Sequence, residues 1–174
     1  MEVFDAIKAR KSVRAYEDKP VPEESLERIL ESARISPSAA NYQPWHFVVV
    51  KDKEMRAALS GGKWARFLKE APVVIVGCGD RKKSPEWNVV DVSIAMQTMV
   101  LQATSEGLGT CWIGSFDEVQ VRTLLKIPNN FDIIALLTLG YPREKLDLVN
   151  ALVGKRRKDL GEIVSAEEFG KPLK

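Results

Sequence analysis

The stretch Ser36-Pro37-Ser38-Ala39-Ala40-Asn41-Tyr42-Gln43-Pro44-Trp45 and the apolar run Phe47–Val50 that follows it decide how this chain is interpreted. Ser, Pro and Asn favour turns, whereas a run of Val and Phe is typical of a strand. Small and amide side chains ahead of a buried strand can place backbone N–H groups against a flat polar ligand. The stretch therefore predicts a polar loop that lines a binding site and leads into the sheet.

A second stretch, Arg10-Lys11-Ser12-Val13-Arg14, places three cations and a hydroxyl within five residues. The planar guanidinium of arginine matches phosphate oxygens. Taken alone, Arg10 and Lys11 are better explained as cations that complement the C-terminal dipole of a helix predicted over residues 2–10. The presence of the polar loop 36–45 makes phosphate binding the preferred explanation instead. The two stretches together indicate a cofactor that carries both a phosphate and a ring.

Length and composition limit the remaining classes of protein. The 174 residues, 45% of them hydrophobic, suit one domain over residues 1–174 with an ordinary core. A net charge of +2 argues against a nucleic-acid partner, and no apolar run reaches the roughly 20 residues that span a membrane. The N-terminal residues lack the pattern of an export signal, so we expect a cytoplasmic protein in which Cys78 and Cys111 are reduced core residues.

The order of elements predicts an α+β protein with a small central sheet flanked by helices. The stretch Gly77-Cys78-Gly79-Asp80-Arg81-Lys82 follows a strand, but it lacks the third glycine of a dinucleotide-binding loop. A Rossmann fold is therefore not expected. We predict helices over 2–10, 22–33, 52–59, 64–70, 86–106 and 117–126, and strands over 47–51, 72–77, 110–113 and 133–139.

The predicted helix 86–106 is apolar nearly all round, which is typical of a helix that is buried on every side. It should lie at the centre of the core or in a dimer interface. Residues 145–174, in contrast, are charged and poorly patterned. Such a tail often packs on something outside its own core.

Four motifs of this chain resemble those of the nitroreductase family of FMN-dependent oxidoreductases. They are Arg-x-Ser-x-Arg from Arg10, the loop 36–45, Gly107-Leu108-Gly109-Thr110-Cys111-Trp112-Ile113-Gly114, and the basic Lys155-Arg156-Arg157. The resemblance spans about residues 2–170. It implies a nitroreductase-like fold and a homodimer that binds FMN non-covalently at the subunit interface, with a C-terminal extension that reaches the partner subunit.

The resemblance also assigns roles to individual residues. The phosphate is expected near Arg10, Lys11, Ser12, Lys155 and Arg157, and Arg14 matches the position that reaches the N1/O2 edge of the flavin. The loop residues expected to contact the flavin from the opposite subunit are Pro37, Ser38, Ala39, Asn41 and Gln43. The backbone expected near flavin N5 and O4 belongs to Trp112, Ile113 and Gly114, although many family members carry an acidic residue where this chain has Gly114.

Two further positions have competing interpretations. Lys63 and Arg66 match residues that approach the isoalloxazine edge in some family members, but they would equally suit a solvated helix face.

Trp45 is expected to pack in the core. His46 is the only histidine, and without a Cys cluster or a second His it supports no metal site, so a structural role is expected.

The activity implied by the resemblance is electron transfer from NAD(P)H through flavin N5 to a small nitroaromatic or quinone acceptor in a ping-pong sequence. No catalytic side chain is expected, because the flavin itself carries the chemistry. Two alternatives stay open. One is an enzyme of the same fold with a specific metabolite substrate, such as a dehalogenase, dehydrogenase or oxidase; the other is an FMN-binding protein without turnover.

Overall fold

The computed structural model describes residues 1–61, 66–143 and 157–173 of the chain. The helices are α1 (Val3–Ala9), α2 (Glu23–Arg34), α3 (Lys53–Leu59), α4 (Asn88–Ser105), α5 (Glu118–Leu125) and the short α6 (Leu160–Ile163). The strands are β1 (Trp45–Val50), β2 (Val73–Asp80), β3 (Gly109–Ile113) and β4 (Phe131–Gly140). Two single turns of 3₁₀ helix lie at Ala39–Asn41 and Arg66–Lys69.

The four strands form one sheet in the order β1-β2-β4-β3, and every neighbouring pair is antiparallel. The last of the described strands, β4, is therefore a central one. A parallel dinucleotide-binding sheet is excluded for this part of the chain, as the missing third glycine predicts. The α+β class with a small central sheet is confirmed.

Both faces of the sheet are covered by helices, because successive side chains of a strand point to opposite faces. On β2, Ile75 packs toward α2 and α4 in a cluster that includes Met96 and Met99. Its neighbours Val74 and Val76 pack with residues of α3 and α5 on the other face. The alternation explains why all eight residues of β2 are buried.

Local signals predicted the helix termini well. The Oδ1 atom of Asp52 accepts a hydrogen bond from the Met55 N–H at 2.8 Å, and Asp117 Oδ1 accepts one from Gln120 N–H at 2.9 Å. Each is the N-cap bond expected of an aspartate at a helix start. Gly107 adopts the left-handed conformation, φ 76°, just after α4, as expected for a C-terminal cap.

Other predictions need correction. The segment predicted as a helix over 64–70 is a 3₁₀ turn where it is described, and β2 continues three residues beyond Gly77. The helix predicted over 86–106 does not lie at the centre of the core, because Val89, Val90 and Ile94 of α4 are exposed; its alternative place, a dimer interface, stays a prediction. Of the tail, residues 144–156 and 174 lie outside the described part, and residues 157–173 are mostly exposed coil around α6.

Cys78 and Cys111 are buried reduced thiols, as expected. They lie on β2 and β3, which β4 separates. Burial raises the pKa of the Cys78 thiol to about 11. Among the described residues, no helix is long and apolar enough to cross a membrane.

Candidate cofactor site

The basic segment 10–14 lies along the beginning of β3. Helix α1 ends at Ala9, and Ser12 then forms a parallel bridge with Thr110. The N–H of Val13 donates to the Thr110 carbonyl at 2.8 Å. A Cβ on Gly109 would lie 2.6 Å from Val13 Cγ2, so this close approach requires glycine. The segment is thus an extended backbone bound to the edge of the sheet.

Tyr16 links the same segment to β4 through its buried hydroxyl. Its hydroxyl donates to the Val13 carbonyl at 2.7 Å and lies 2.6 Å from Thr138 Oγ1 on β4. Burial raises the pKa of Tyr16 well above its usual range, and the hydrogen bond with Thr138 opposes that rise only in part. The phenol therefore stays neutral and acts as a structural hydrogen-bonding group.

Arg10 and Lys11 of this segment border a small cavity of about 170 Å³. Arg10 is half-buried and Lys11 is exposed. Neither side chain has a carboxylate partner among the described residues, unlike Lys8 one turn earlier, which pairs with Asp5 at 3.4 Å. Their charges are available to an anion. The cavity is lined by Ala9, Arg10, Lys11, Val13, Thr104, Gly107, Leu108, Gly109 and Pro142.

The loop 37–43 has a different construction. Ala40, Asn41 and Gln43 all adopt positive φ values, 45°, 57° and 48°. Ser38 Oγ accepts a hydrogen bond from the Gln43 N–H at 3.0 Å, and Asn41 Oδ1 accepts one from Gln43 Nε2 at 2.9 Å. The loop is therefore shaped by its own polar side chains.

A buried aspartate that the sequence analysis did not single out connects this loop to α4. Asp91 is 2% exposed, and its Oδ1 accepts a hydrogen bond from the Ala39 N–H at 3.0 Å. Its Oδ2 is buried without a hydrogen-bond partner in the described structure. The only sequence signal was an acid in the first turn of a helix, where acids are common because they complement the helix dipole.

Asp91 also lines an otherwise apolar cavity of about 290 Å³ between the loop and α4. A carboxylate in such surroundings is unusual, since burial of a charge without partners is unfavourable. The remaining lining residues are Pro37, Ser38, Ala39, Trp87, Val90 and Ile94.

The third predicted group, Trp112–Gly114, lies at the end of β3. Trp112 is half-buried, and Ile113 is buried among residues of α3, α5 and β2. Gly114 is exposed immediately after the strand. Because the Ile113 side chain is buried in the core, only the backbone at this position is left for contact with a ligand. Strand β3 connects this group with the segment 10–14, which pairs with it at Thr110. At ~3.3 Å per residue, Thr110 and Gly114 are about 13 Å apart.

The loop 37–43 lies far from the basic segment 10–14 within one chain. It is attached to Asp91 near the beginning of α4, whereas the cavity beside Arg10 is lined by Thr104 near its end. At ~1.5 Å per residue, these two helix positions are about 20 Å apart. The loop therefore lies at the opposite end of α4 from the basic segment.

The other predicted residues are placed as follows. Lys63 and Lys155 lie outside the described residues, and Arg66 begins the 3₁₀ turn before β2. Arg157 is exposed at the start of the described tail. Trp45 packs against the core, as expected. His46 is exposed, with its ring edge-on to Phe131 at a centroid distance of 6.0 Å.

Comparison with known proteins identifies the family. The model of the nitroreductase family matches residues 7–61 and 56–141. The chain belongs to the nitroreductase family. An NADH dehydrogenase/NAD(P)H nitroreductase from Methanothermobacter thermautotrophicus is 41% identical over 151 residues, which cover 83% of this chain and 79% of that protein.

Solved structures of nitroreductases share the fold. An NADH dehydrogenase/NAD(P)H nitroreductase from Parabacteroides distasonis superposes with a TM-score of 0.85 at 30% identity, covering 96% of this chain and 98% of that one. An FMN-dependent nitroreductase from Clostridium difficile R20291 gives a TM-score of 0.81 at 32% identity, covering 95% and 99%. The nitroreductase fold of this chain is thereby established over nearly its whole length.

Proposed function

We propose that this nitroreductase is an FMN-dependent oxidoreductase that takes electrons from NAD(P)H and passes them to nitroaromatic or quinone acceptors. The observation that carries the proposal is the segment 10–14. It holds Arg10 and Lys11 at the sheet edge without a carboxylate partner among the described residues. The name of the Clostridium difficile neighbour, an FMN-dependent nitroreductase, agrees with it.

The residues present fit a phosphorylated flavin. Arg10 and Lys11 would bind the phosphate through charge-assisted hydrogen bonds, with Ser12 as a further donor. Arg157, and Lys155 by its match to the family motif, would add charge to the same end. Arg14 would place positive charge at the N1/O2 edge of the ring, while the exposed backbone at Gly114 leaves room for close approach.

Bound FMN supplies the transfer of hydride and electrons, which side chains cannot perform. The chain needs only to bind the cofactor, orient it and set the charge around its ring. This division of work explains why the basic segment, the loop and the end of β3 hold no paired acid and base.

A second copy of the chain is required to complete the site. Within one chain the loop 37–43 lies about 20 Å along α4 from the basic segment. We infer a homodimer in which the loop of each subunit faces the cofactor bound by the other. The exposed apolar side chains of α1 and α4 provide a surface that such a dimer would bury; they are Val3, Phe4, Ile7, Val89, Val90 and Ile94.

The donor and the acceptor would use one place over the flavin ring in turn. Support comes from the sheet, which is antiparallel and has no dinucleotide-binding loop after β2. Double-reciprocal plots at several acceptor concentrations should then be parallel. Intersecting lines would show that both substrates are bound at once and would contradict a shared site.

The test of the proposal is FMN binding by the wild-type protein and by Arg10→Ala. Loss of a charge-assisted bond worth about 1.5–3 kcal/mol should weaken FMN binding by roughly 10- to 150-fold. Lys8→Ala is the matched control, because Lys8 is a cation on α1 that already pairs with Asp5. An Arg10→Ala protein that keeps wild-type affinity would remove Arg10 from the site.

Turnover is tested separately. NAD(P)H oxidation that accelerates when a quinone is added identifies an enzyme, whereas bound FMN without oxidation of NAD(P)H would favour the alternative of a flavin-binding protein. Wild-type protein that binds no FMN would refute the proposed function.

A further inference from the structure

The connection between Asp91 and the loop 37–43 joins a buried charge to an unusual backbone. Asp91 is buried on α4, and its Oδ1 accepts the Ala39 N–H at 3.0 Å. Directly after Ala39, Ala40 and Asn41 adopt left-handed conformations. Such conformations are disfavoured for residues that carry a Cβ, and alanine has no side-chain group that could compensate. The surroundings of the loop must hold it in this shape.

We propose that Asp91 is the positioning residue that keeps the loop 37–43 in the conformation that faces the flavin ring. The inference rests on the proposed function, since it assigns a role toward the same cofactor. Asp91 acts through Ala39 and does not itself belong to the phosphate-binding end. Its effect is therefore limited to the part of the site that contacts the flavin ring.

The geometry of the loop explains why this hydrogen bond matters. Ala39 begins the 3₁₀ turn, and Ser38 before it is extended, with φ −141° and ψ 157°. The bond to Asp91 therefore fixes the point at which the chain changes from extended to turned. The turn closes through bonds from Asn41 N–H to the Ser38 carbonyl at 3.0 Å and from Tyr42 N–H to the Ala39 carbonyl at 2.9 Å.

A second link between this part of the chain and α4 provides a natural comparison. Ser36 Oγ donates to Thr98 Oγ1 at 3.0 Å, two turns further along the helix. That link precedes the loop and lies on ordinary backbone. Its loss should leave the left-handed residues in place, so Thr98→Val is the matched control for a change at Asp91.

The unpartnered Oδ2 of Asp91 makes the conservative variant informative. Asp91→Asn keeps an oxygen acceptor for the Ala39 N–H and can turn its amide nitrogen toward the position of Oδ2. If acceptance of the Ala39 N–H is the function of Asp91, asparagine should restore it. If the negative charge were the function, asparagine would fail as alanine does.

The experiment measures dissociation constants for FMN and for riboflavin, which has the ring but no phosphate. Asp91→Ala should weaken the binding of both ligands by the same factor, about tenfold or more, the usual effect of a lost hydrogen bond to a charged group. Asp91→Asn and Thr98→Val should remain within roughly threefold of wild type. Arg10→Ala should weaken FMN binding but leave riboflavin binding unchanged.

A second variant removes the same bond from the other side. Ala39→Pro lacks the N–H donor, and the extended Ser38 suits a residue before proline. Asp91→Ala and Ala39→Pro should each change the visible circular dichroism of the bound flavin, and the double variant should bind FMN no more weakly than either single one. Thermal unfolding of each variant checks that the fold is retained.

The outcomes separate the two proposals. Wild-type protein that binds neither flavin refutes the proposed function. Wild-type binding with unchanged affinities in Asp91→Ala and Ala39→Pro overturns the role of Asp91 alone. An Asp91→Asn protein as weak as Asp91→Ala also overturns it, as does a loss confined to FMN.

Discussion

The segment 10–14 and the loop 37–43 serve the same proposed site by opposite means. The first is extended backbone joined to β3 through Ser12 and Val13, and it carries the half-buried Arg10 and the exposed Lys11. In the second, Ser38 Oγ accepts a hydrogen bond from Gln43 N–H inside the loop, Asp91 of α4 accepts one from Ala39 N–H, and the backbone is left-handed at Ala40, Asn41 and Gln43. Side-chain changes in the first region should therefore affect binding without affecting the fold, whereas changes in the second should act through backbone shape.

The largest effect is expected from a substitution that disrupts the proposed dimer, because only the dimer brings the segment 10–14 and the loop 37–43 together. Ile94→Glu places a charge on the apolar face of α4, where Ile94 is 40% exposed in the single chain. An unpaired charge buried in an interface costs about 3–5 kcal/mol, so the dimer should dissociate by a factor of 100 or more. Analytical ultracentrifugation measures the dissociation constant.

The control is Val119→Glu, on a valine of α5 that is 75% exposed on the other side of the sheet. It should leave the oligomeric state unchanged. A dimeric Ile94→Glu protein that retains FMN would place the subunit interface elsewhere.

A second test separates the basic segment from the sheet. Gly109→Val would put a Cβ 2.6 Å from Val13 Cγ2 and 3.0 Å from Pro142 Cγ. Overpacking of this kind should lower the free energy of unfolding by about 1–3 kcal/mol and displace Arg10 and Lys11. Urea denaturation measures the loss.

Gly114→Ala is its counterpart at the far end of β3, since a Cβ there meets nothing within 4 Å. Its free energy of unfolding should stay within about 0.5 kcal/mol of wild type. Equal stability of the two variants would show that the segment does not depend on close contact with the sheet.

The features that sequence could predict are the ones that depend on neighbouring residues. Asp52 and Asp117 begin helices because each needs only the N–H groups that follow it. The role of Asp91 depends on Ala39, fifty-two residues earlier, so no local pattern contains it. Likewise, nothing in the sequence indicates that Ala40 adopts a left-handed conformation, because alanine rarely does.

The exposed face of α4 shows a second limit of sequence. The apolar pattern of a helix is the same whether the helix packs against its own sheet or against another subunit. Met96 and Met99 pack into the core while Val90 and Ile94 do not, and only the three-dimensional structure separates the two sets. The motif at 10–14 was predictable as a group of cations, but its place beside Thr110 required the fold.

The third test concerns the end of α4 nearest the basic segment. Arg28 Nη2 donates to Glu106 Oε2 at 2.8 Å, and the Arg28 guanidinium lowers the pKa of Glu106 to about 2. A folded-state pKa below the unfolded value means that the pair stabilises the fold above about pH 4.5 and that this stabilisation is lost as the pH falls toward 2.

Glu106→Gln should therefore lower stability at neutral pH by about 1 kcal/mol, given that Arg28 is largely exposed, and flatten the acid limb of the stability profile. Denaturation between pH 2 and 7 measures it. This pair lies at the end of α4 near residues 10–14, whereas Asp91 and the loop 37–43 lie at the other end. If stability falls with acid as steeply in Glu106→Gln as in wild type, the Arg28–Glu106 pair does not stabilise the end near 10–14.

The mildest test addresses backbone shape alone. Ala40→Gly relieves the left-handed strain but increases the freedom of the unfolded chain, so the net gain should not exceed about 1 kcal/mol. Ala39→Gly, at a residue without positive φ, should instead destabilise the protein by about 0.5–1 kcal/mol. Thermal unfolding of the two variants gives the difference, and destabilisation of equal size at both positions would argue against strain at Ala40.

The position of β4 in the sheet has a consequence for biosynthesis. Among the strands that the structure describes, the last to leave the ribosome is β4, which joins β2 to β3. Until residues 131–140 have emerged, β1 and β2 can pair only with each other, and β3 has no strand partner in the described sheet. Premature termination before Phe131 would therefore release a chain with the unpaired edge of Val73–Asp80 exposed, a template for aggregation.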